Sequence, residues 1–193
     1  MAQTLFDSLK SEVQRRNLMN RTREARKWLI YKARYMKNIR KTTLGASVGT
    51  IVTGKMYFFV YDPKTKDKLP FYDVFPLMIP IKKYADGFLG LNLHYLPPYY
   101  RAALLDQLMF LATDSRMDER TRLKLSYSIL DKHTRFMLFR PCVKRYLYSN
   151  IKSMFLRVEA SEWKTVIFLP TEQFRKSKKE TAWALPQSIP QGM

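Results

Sequence analysis

The stretch from Met56 to Leu96, MYFFVYDPKTKDKLPFYDVFPLMIPIKKYADGFLGLNLHYL, decides the fold. It holds three apolar, aromatic-rich runs: Met56 to Tyr61, Phe75 to Ile81 and Phe88 to Leu96. Asp62-Pro63 and the charged residues after it separate the first two, and Ala85-Asp86-Gly87 separates the last two. Runs of Val, Ile, Tyr and Phe bounded by Gly, Pro and Asp predict short strands joined by turns. Pro70, Pro76 and Pro80 confine the middle run to an edge or bulged strand, because proline has no N–H to give a ladder. Asp86-Gly87 predicts a turn with positive φ, and Gly90 predicts a bulge or a close backbone approach. Strands this short and proline-rich predict a small antiparallel half-barrel rather than a wide sheet.

Downstream, Pro97-Pro98 opens a helix, proline being tolerated in a first turn. Ala102, Leu105, Leu108, Met109 and Ala112 then recur at helical spacing. Asp118-Glu119 begins a second helix, acidic residues suiting its N-terminus, with Leu123, Tyr127 and Leu130 as its stripe. A third helix is predicted after Pro141 from Val143, Tyr146, Leu147, Ile151 and Met154. The β-branched run Thr165-Val166-Ile167-Phe168 predicts a late strand returning to the first sheet. The fold class is therefore α+β: a small antiparallel half-barrel covered by about three helices, forming a core domain over residues 56–170. Residues 171–193 read as an extended tail, with Arg175, Lys176, Lys178 and Lys179 ahead of Pro186 and Pro190.

Upstream, residues 42–55 (TTLGASVGTIVTGK) carry three glycines and read as a hinge. Gly54-Lys55 lacks the Ser/Thr of a phosphate-cradling loop. Residues 1–41 contain twelve basic residues and three acidic ones, which leaves +9, and no Pro or Gly. They predict a basic amphipathic helical arm. At about 100° per residue, Leu18, Ala25, Trp28, Leu29, Tyr31, Ala33, Tyr35, Met36 and Ile39 share one broad side. Arg23, Arg26, Lys27, Arg34, Lys37 and Lys41 cluster on the other, with Ile30 the one apolar intruder. A charged face usually means only a solvated helix. Here the face is almost purely positive, which solvation alone does not require, so phosphate contact is the leading expectation and a membrane surface ranks third.

The whole chain repeats that bias. Its 193 residues contain 35 Lys+Arg against 16 Asp+Glu, a net charge of +19. Such an imbalance repels itself in a compact state unless a polyanion is near. Nucleic acid is the commonest such partner, since neutralising phosphates releases counterions without reading bases; an acidic protein or anionic membrane is the blander option. With 46% hydrophobic residues the chain can build a core. The single cysteine, Cys142, excludes an internal disulfide and a multi-Cys zinc site. The N-terminus shows no signal peptide, and no run approaches the roughly 20 apolar residues of a membrane span.

Catalytic patterns are weak. His94 and His133 are the only histidines, and neither has ligands patterned around it. His94 reads as a satisfied structural residue. A Cys142–His133 pair lacks any protease signature, and Cys142 reads as a small buried residue. Asp62, Asp67, Asp73 and Asp86 fall at predicted turns, where Asp occurs for backbone reasons. Tyr99-Tyr100, Tyr146 and Tyr148, beside Arg101, Lys144 and Arg145, could stack bases, but helix packing with the tyrosine hydroxyls at the rim is the leading reading. No enzyme, metal or cofactor is expected.

Tyr61-Asp62-Pro63-Lys64-Thr65-Lys66, Leu69-Pro70-Phe71-Tyr72-Asp73, Phe75-Pro76-Leu77 and Ala85 through Pro97 resemble a block in structural proteins of large contractile-tailed bacteriophages. Phe139 through Leu147, Glu162-Trp163 and Phe168 through Glu172 resemble its later part. The resemblance spans about residues 56 to 183, leaves the basic arm outside, and points loosely to the DNA end protector of the virion head. A tail or baseplate-hub component is the competing placement. The resemblance implies a non-enzymatic virion protein that touches packaged duplex DNA in the head or neck, beside other virion proteins and in a symmetric oligomer. The residues expected on the phosphate backbone are Arg23, Arg26, Lys27, Arg34, Lys37 and Lys41, with Arg175, Lys176, Lys178 and Lys179 as a second cluster. In the alternative, the basic helix docks on neighbouring protein subunits during assembly.

Overall fold

The computed structural model describes residues 23, 24, 26–28, 30, 31, 51–98, 100–102, 104, 105, 108, 118, 128, 137–166 and 169–184. Within them the fold is α+β. The strands are β1 (Met56–Phe58), β2 (Tyr72–Asp73), β3 (Leu77–Tyr84), β4 (Gly87–Asn92), β5 (Val143–Leu147), β6 (Leu156–Val158) and β7 (Phe174–Arg175). Five of them form one antiparallel sheet in the order β5-β4-β3-β1-β6, and β2 pairs with β7 in a second, two-stranded ladder. The expected half-barrel thus takes the form of an open five-stranded sheet with β5 and β6 at its edges.

Alternation along the strands buries both faces of this sheet. Met56 and Phe58 join Leu77, Ile79, Leu91, Leu156 and Val158 on one face. Ala102, Leu104, Leu105 and Leu108, with the short helix Trp163–Val166, cover that face. Tyr57 and Phe59 join Ile51, Met78, Phe88 and Tyr146 on the other. The second cluster is mostly aromatic, with Phe59 and Tyr146 rings 5.2 Å apart edge to face and Phe88 stacked 5.3 Å from Tyr146. Such pairs add about 0.5–1.5 kcal/mol each beyond the area they bury.

Pro80 is in a bulge, as expected, but not on an edge: β3 lies between β1 and β4. The register against β4 shifts between Pro80 and Lys82, and pairing with β1 ends at Met78. The ring therefore interrupts neither ladder, and its carbonyl accepts from Gly54 N at 3.1 Å. The Ala85-Asp86 turn has no positive φ; among described glycines only Gly54 does, at 81°. Gly87 is needed for space instead, since a Cβ there would stand 2.0 Å from the Tyr146 carbonyl. Gly90 stands opposite the bulge, as anticipated, but what crowds it is a side chain rather than backbone: Met78 Sδ lies 2.3 Å from the position of a Cβ.

Two downstream elements reverse the sequence expectation. The third helix predicted from Val143 to Met154 is instead β5, a 3-10 turn (Tyr148–Asn150) and an isolated bridge from Ile151 to Tyr61. Apolar spacing in so short a run fits either period, and the exposed ladder of β4 selects the strand. Where the late strand is expected over residues 165–168, Thr165 and Val166 instead belong to the helix Trp163–Val166, and residues 167 and 168 lie outside the described residues. Glu159 caps the preceding turn with Glu162 reciprocally, and the returning strand is β6, paired to β1. The second predicted helix lies outside the described residues apart from Asp118 and Ser128. Residues 51–55 of the expected hinge pack on the sheet, with Ile51 fully buried. The expected extended tail is in part folded, as β7 and the helix Lys179–Ala184.

Candidate nucleic-acid interface

Residues 23–31 are helical where described. Trp28 anchors them: its ring lies 5.7 Å from Phe58, and its Nε1 donates to Glu162 Oε1 at 3.3 Å. By helical geometry Arg23 and Arg26 then fall roughly 140–160° from Trp28. Arg23, Arg26 and Lys27 are all exposed. Trp28 is thus the inward residue of this turn, as its place on the apolar side predicts. Tyr31, expected on that side too, is 66% exposed, and Ile30 is 53% exposed beside the arginines. Arg34, Lys37 and Lys41 lie outside the described residues.

The second cluster follows β7. Arg175 is exposed and pairs across the ladder with Tyr72. Lys178 is exposed, and Lys179 is half-buried, its Nζ over the Trp183 ring at 5.3 Å. Lys176 is differently engaged. It has the left-handed φ of 65°, and its Nζ donates to the carbonyls of Lys66, Asp67 and Leu69 at 2.8, 3.1 and 3.2 Å. Its ammonium therefore pins the loop between β1 and β2.

Beneath this cluster lies a buried polar network that the sequence did not disclose. Asp73 Oδ2 stands 2.7 Å from His94 Nδ1 and accepts from Asn92 Nδ2 at 3.1 Å; Asp73 Oδ1 accepts from Phe75 N. On the far side of the ring, His94 Nε2 is 2.9 Å from Thr171 Oγ1. Burial works to raise the Asp73 pKa, but the His94 charge and these hydrogen bonds outweigh it and hold the carboxyl below its usual range. The chain of carboxylate, imidazole and hydroxyl has the connectivity of a hydrolase triad. His94 is fully buried and Thr171 is 2% exposed, so no substrate reaches the hydroxyl, and the network ties β2 and residue 171 to the end of β4. Asp73 sits on a strand rather than in the turn expected for it.

Arg101 extends the tie. It is fully buried, not at a base-stacking surface. Its Nε donates to Leu96 O at 2.7 Å and its Nη2 to Glu172 Oε1 at 2.5 Å. Trp183 Nε1 donates to His94 O at 2.8 Å, with the Arg101 guanidinium 5.7 Å from its ring. The residues that hold the C-terminal basic segment in place are thus His94, Arg101 and Trp183. A buried Arg and Glu so far apart in sequence leave no local signal, so only the tertiary structure reveals them.

Cys142 is buried and burial pushes its thiol up to about 12, which removes it as a nucleophile. His133 lies outside the described residues. Among the described residues no group of three His, Cys, Asp or Glu is placed to hold a metal ion, and no helix is long and apolar enough to cross a membrane.

Searches of curated proteins and of solved structures each returned no match. A family model described as the phage T4 terminal DNA protecting protein matches residues 1–185. The match takes in the basic N-terminal stretch, which the resemblance over residues 56 to 183 had left outside. With 185 of its 193 residues inside that match, the chain belongs to the family of the phage T4 terminal DNA protecting protein.

Proposed function

We propose that this protein covers the ends of linear duplex DNA in the phage particle, gripping the backbone through phosphate charge without reading sequence. Arg23, Arg26 and Lys27, continued by Arg34, Lys37 and Lys41, supply one set of contacts; Arg175, Lys178 and Lys179 supply another. The observation that carries this reading is the family match running through the basic N-terminal stretch of a +19 chain. The Trp28 anchor supports it, because it turns Arg23 and Arg26 away from the sheet. The reading needs no catalytic step, and a place in the head or neck of the particle follows from the role.

The test is protection of a linear duplex from an exonuclease that starts at duplex ends, with binding measured across a salt series. At low salt the protein retains duplex DNA and slows digestion, and both effects decline as salt rises. Replacing Arg23, Arg26 and Lys27 together by Gln lowers the slope of log affinity on log salt by about 0.9 for each phosphate that the variant leaves unneutralised. No retention at low salt, or retention indifferent to salt, refutes the reading.

Exposed Ile30 and Tyr31 within the basic helix favour a second reading, in which the helix docks on acidic subunits of a tail or baseplate. Removing residues 1–41 separates the two: loss of DNA affinity with particle assembly intact supports the first, and the reverse supports the second.

A further inference from the structure

A cavity of about 360 Å³ opens between the loop joining β1 to β2 and the edge strand β5. It is within the size range of small-molecule sites, roughly 300–1,000 Å³. Phe71, Tyr72, Tyr95 and Tyr146 form its aromatic walls, and Lys64 and Lys144 bring ammonium groups to it. Lys144 is half-buried, 4.1 Å from the Tyr95 ring centre, with no carboxylate partner among the described residues. Burial pushes its ammonium below the ordinary lysine range, so an incoming anion would stabilise a charge that, among the described residues, faces the Tyr95 ring.

The polar floor is already satisfied. Asp73 and Asn92 commit their side chains to each other, to Phe75 N and to His94. What remains for a ligand is mainly ring surface and positive charge. Ring faces and cations together recognise a nucleotide without regard to sequence. Tyr72 is half-buried, and its cross-strand partner Arg175 belongs to the basic cluster. Paired residues of a ladder project to the same side, so the cavity and the backbone-gripping cluster are neighbours. Lys176 holds the loop that forms the opposite wall.

We propose that this cavity seats the terminal nucleotide of a DNA strand, its base stacked on Tyr72 and its phosphate on Lys144 and Lys64. This rests on the proposed function and adds to it: charge along the backbone gives affinity for any duplex, and the cavity gives preference for an end.

The experiment compares a short 5′-phosphorylated duplex with a dumbbell of the same sequence whose ends are closed by hairpin loops. The full-length protein binds the open duplex about tenfold more tightly, the order of one stacked base. Lys144→Gln and Tyr72→Ala bring the two affinities together, while Lys144→Arg and Tyr72→Phe keep the preference. A 2′-deoxynucleoside 5′-monophosphate competes away the preference but not the binding to the dumbbell, which identifies the shared chemistry. If the monophosphate binds in the cavity while open and closed duplexes bind alike, the site takes free nucleotide and the proposal falls. Preference that survives in Lys144→Gln and Tyr72→Ala also overturns it. Binding to neither duplex overturns the proposed function itself. Photocrosslinking of wild-type protein to 5-iododeoxyuridine needs no variant to fold. Terminal substitution must label the peptides of Tyr72 or Tyr146 and internal substitution must not; equal labelling elsewhere refutes the site.

Discussion

Replacing Arg101 by Met removes a buried cation with little change in volume, and its effect can be worked from the contacts. The Arg101 and Glu172 side chains are 0% and 4% exposed. Burial raises the Glu172 pKa, but the Arg101 charge, with the His94 charge and the hydrogen bonds to the carboxylate, together outweigh it, so the carboxyl is held low. Taking away one partner of such a pair leaves an uncompensated buried charge, a loss of about 3–5 kcal/mol. In a chain of this size each kcal/mol moves Tm by about 2–4 °C, so Arg101→Met lowers Tm by roughly 10 °C. Changing Glu172 to Gln in the same chain removes the orphaned charge and recovers most of the loss. The pH dependence has a definite sign. In the wild type the depressed Glu172 contributes stability above its unfolded pKa of about 4.3, lost as pH falls through the lower folded value. In Arg101→Met burial, the largest influence, loses its main opponent, so the folded pKa rises and protonation costs the folded state less. The gap between the two proteins therefore narrows as pH drops from 7 toward 4. Urea unfolding at several pH values measures it. A loss under about 1 kcal/mol, no recovery in the double variant, or a gap independent of pH refutes the reasoning. Because Trp183 rests on Arg101, affinity for duplex DNA should fall with stability.

Gly87→Ala is more damaging than Gly90→Ala: the first drives a Cβ into the Tyr146 carbonyl, the second into a methionine side chain that can turn aside. About 3 kcal/mol against 1–2 is expected from overpacking, and equal losses in urea unfolding would contradict the difference. Cys142, held near 12 by burial, should not react with a thiol reagent at pH 8 until the protein is denatured; prompt reaction in the native state would show that the site opens. Lys176→Ala should release the loop after β1, seen as faster amide exchange or proteolysis around Lys66–Leu69. Unchanged protection there would mean the three carbonyl contacts hold nothing. Asp73, like Glu172, has its pKa held low. Acidification below about pH 4 therefore removes the stability both groups contribute, and Asp73→Asn should flatten that loss.

The residues themselves announced much of this. Turn residues around Met56–Leu96 marked β1, β3 and β4, because proline, glycine and aspartate act on the backbone locally and need no distant partner. The excess of cations likewise belongs to composition, and so does the amphipathic order that set Trp28 against Arg23 and Arg26. Local pattern failed where a partner decides. Residues 143–147 became a strand because β4 offered an open ladder, and residues 163–166 became helical because Glu159 and Glu162 capped the turn before them. Asp73, His94 and Thr171 lie far apart in the chain and meet only once β2 pairs with β7. The same closure commits Lys176 to carbonyls and leaves Arg175 beside Tyr72. Sequence by itself determined the charge, the α+β class and the first three sheet strands, since each depends on side chains acting on their own few residues. Tertiary structure alone decided which of the described cations are exposed, which are buried, and that aromatic walls and two lysines line a cavity, because those depend on contacts between residues distant in the chain.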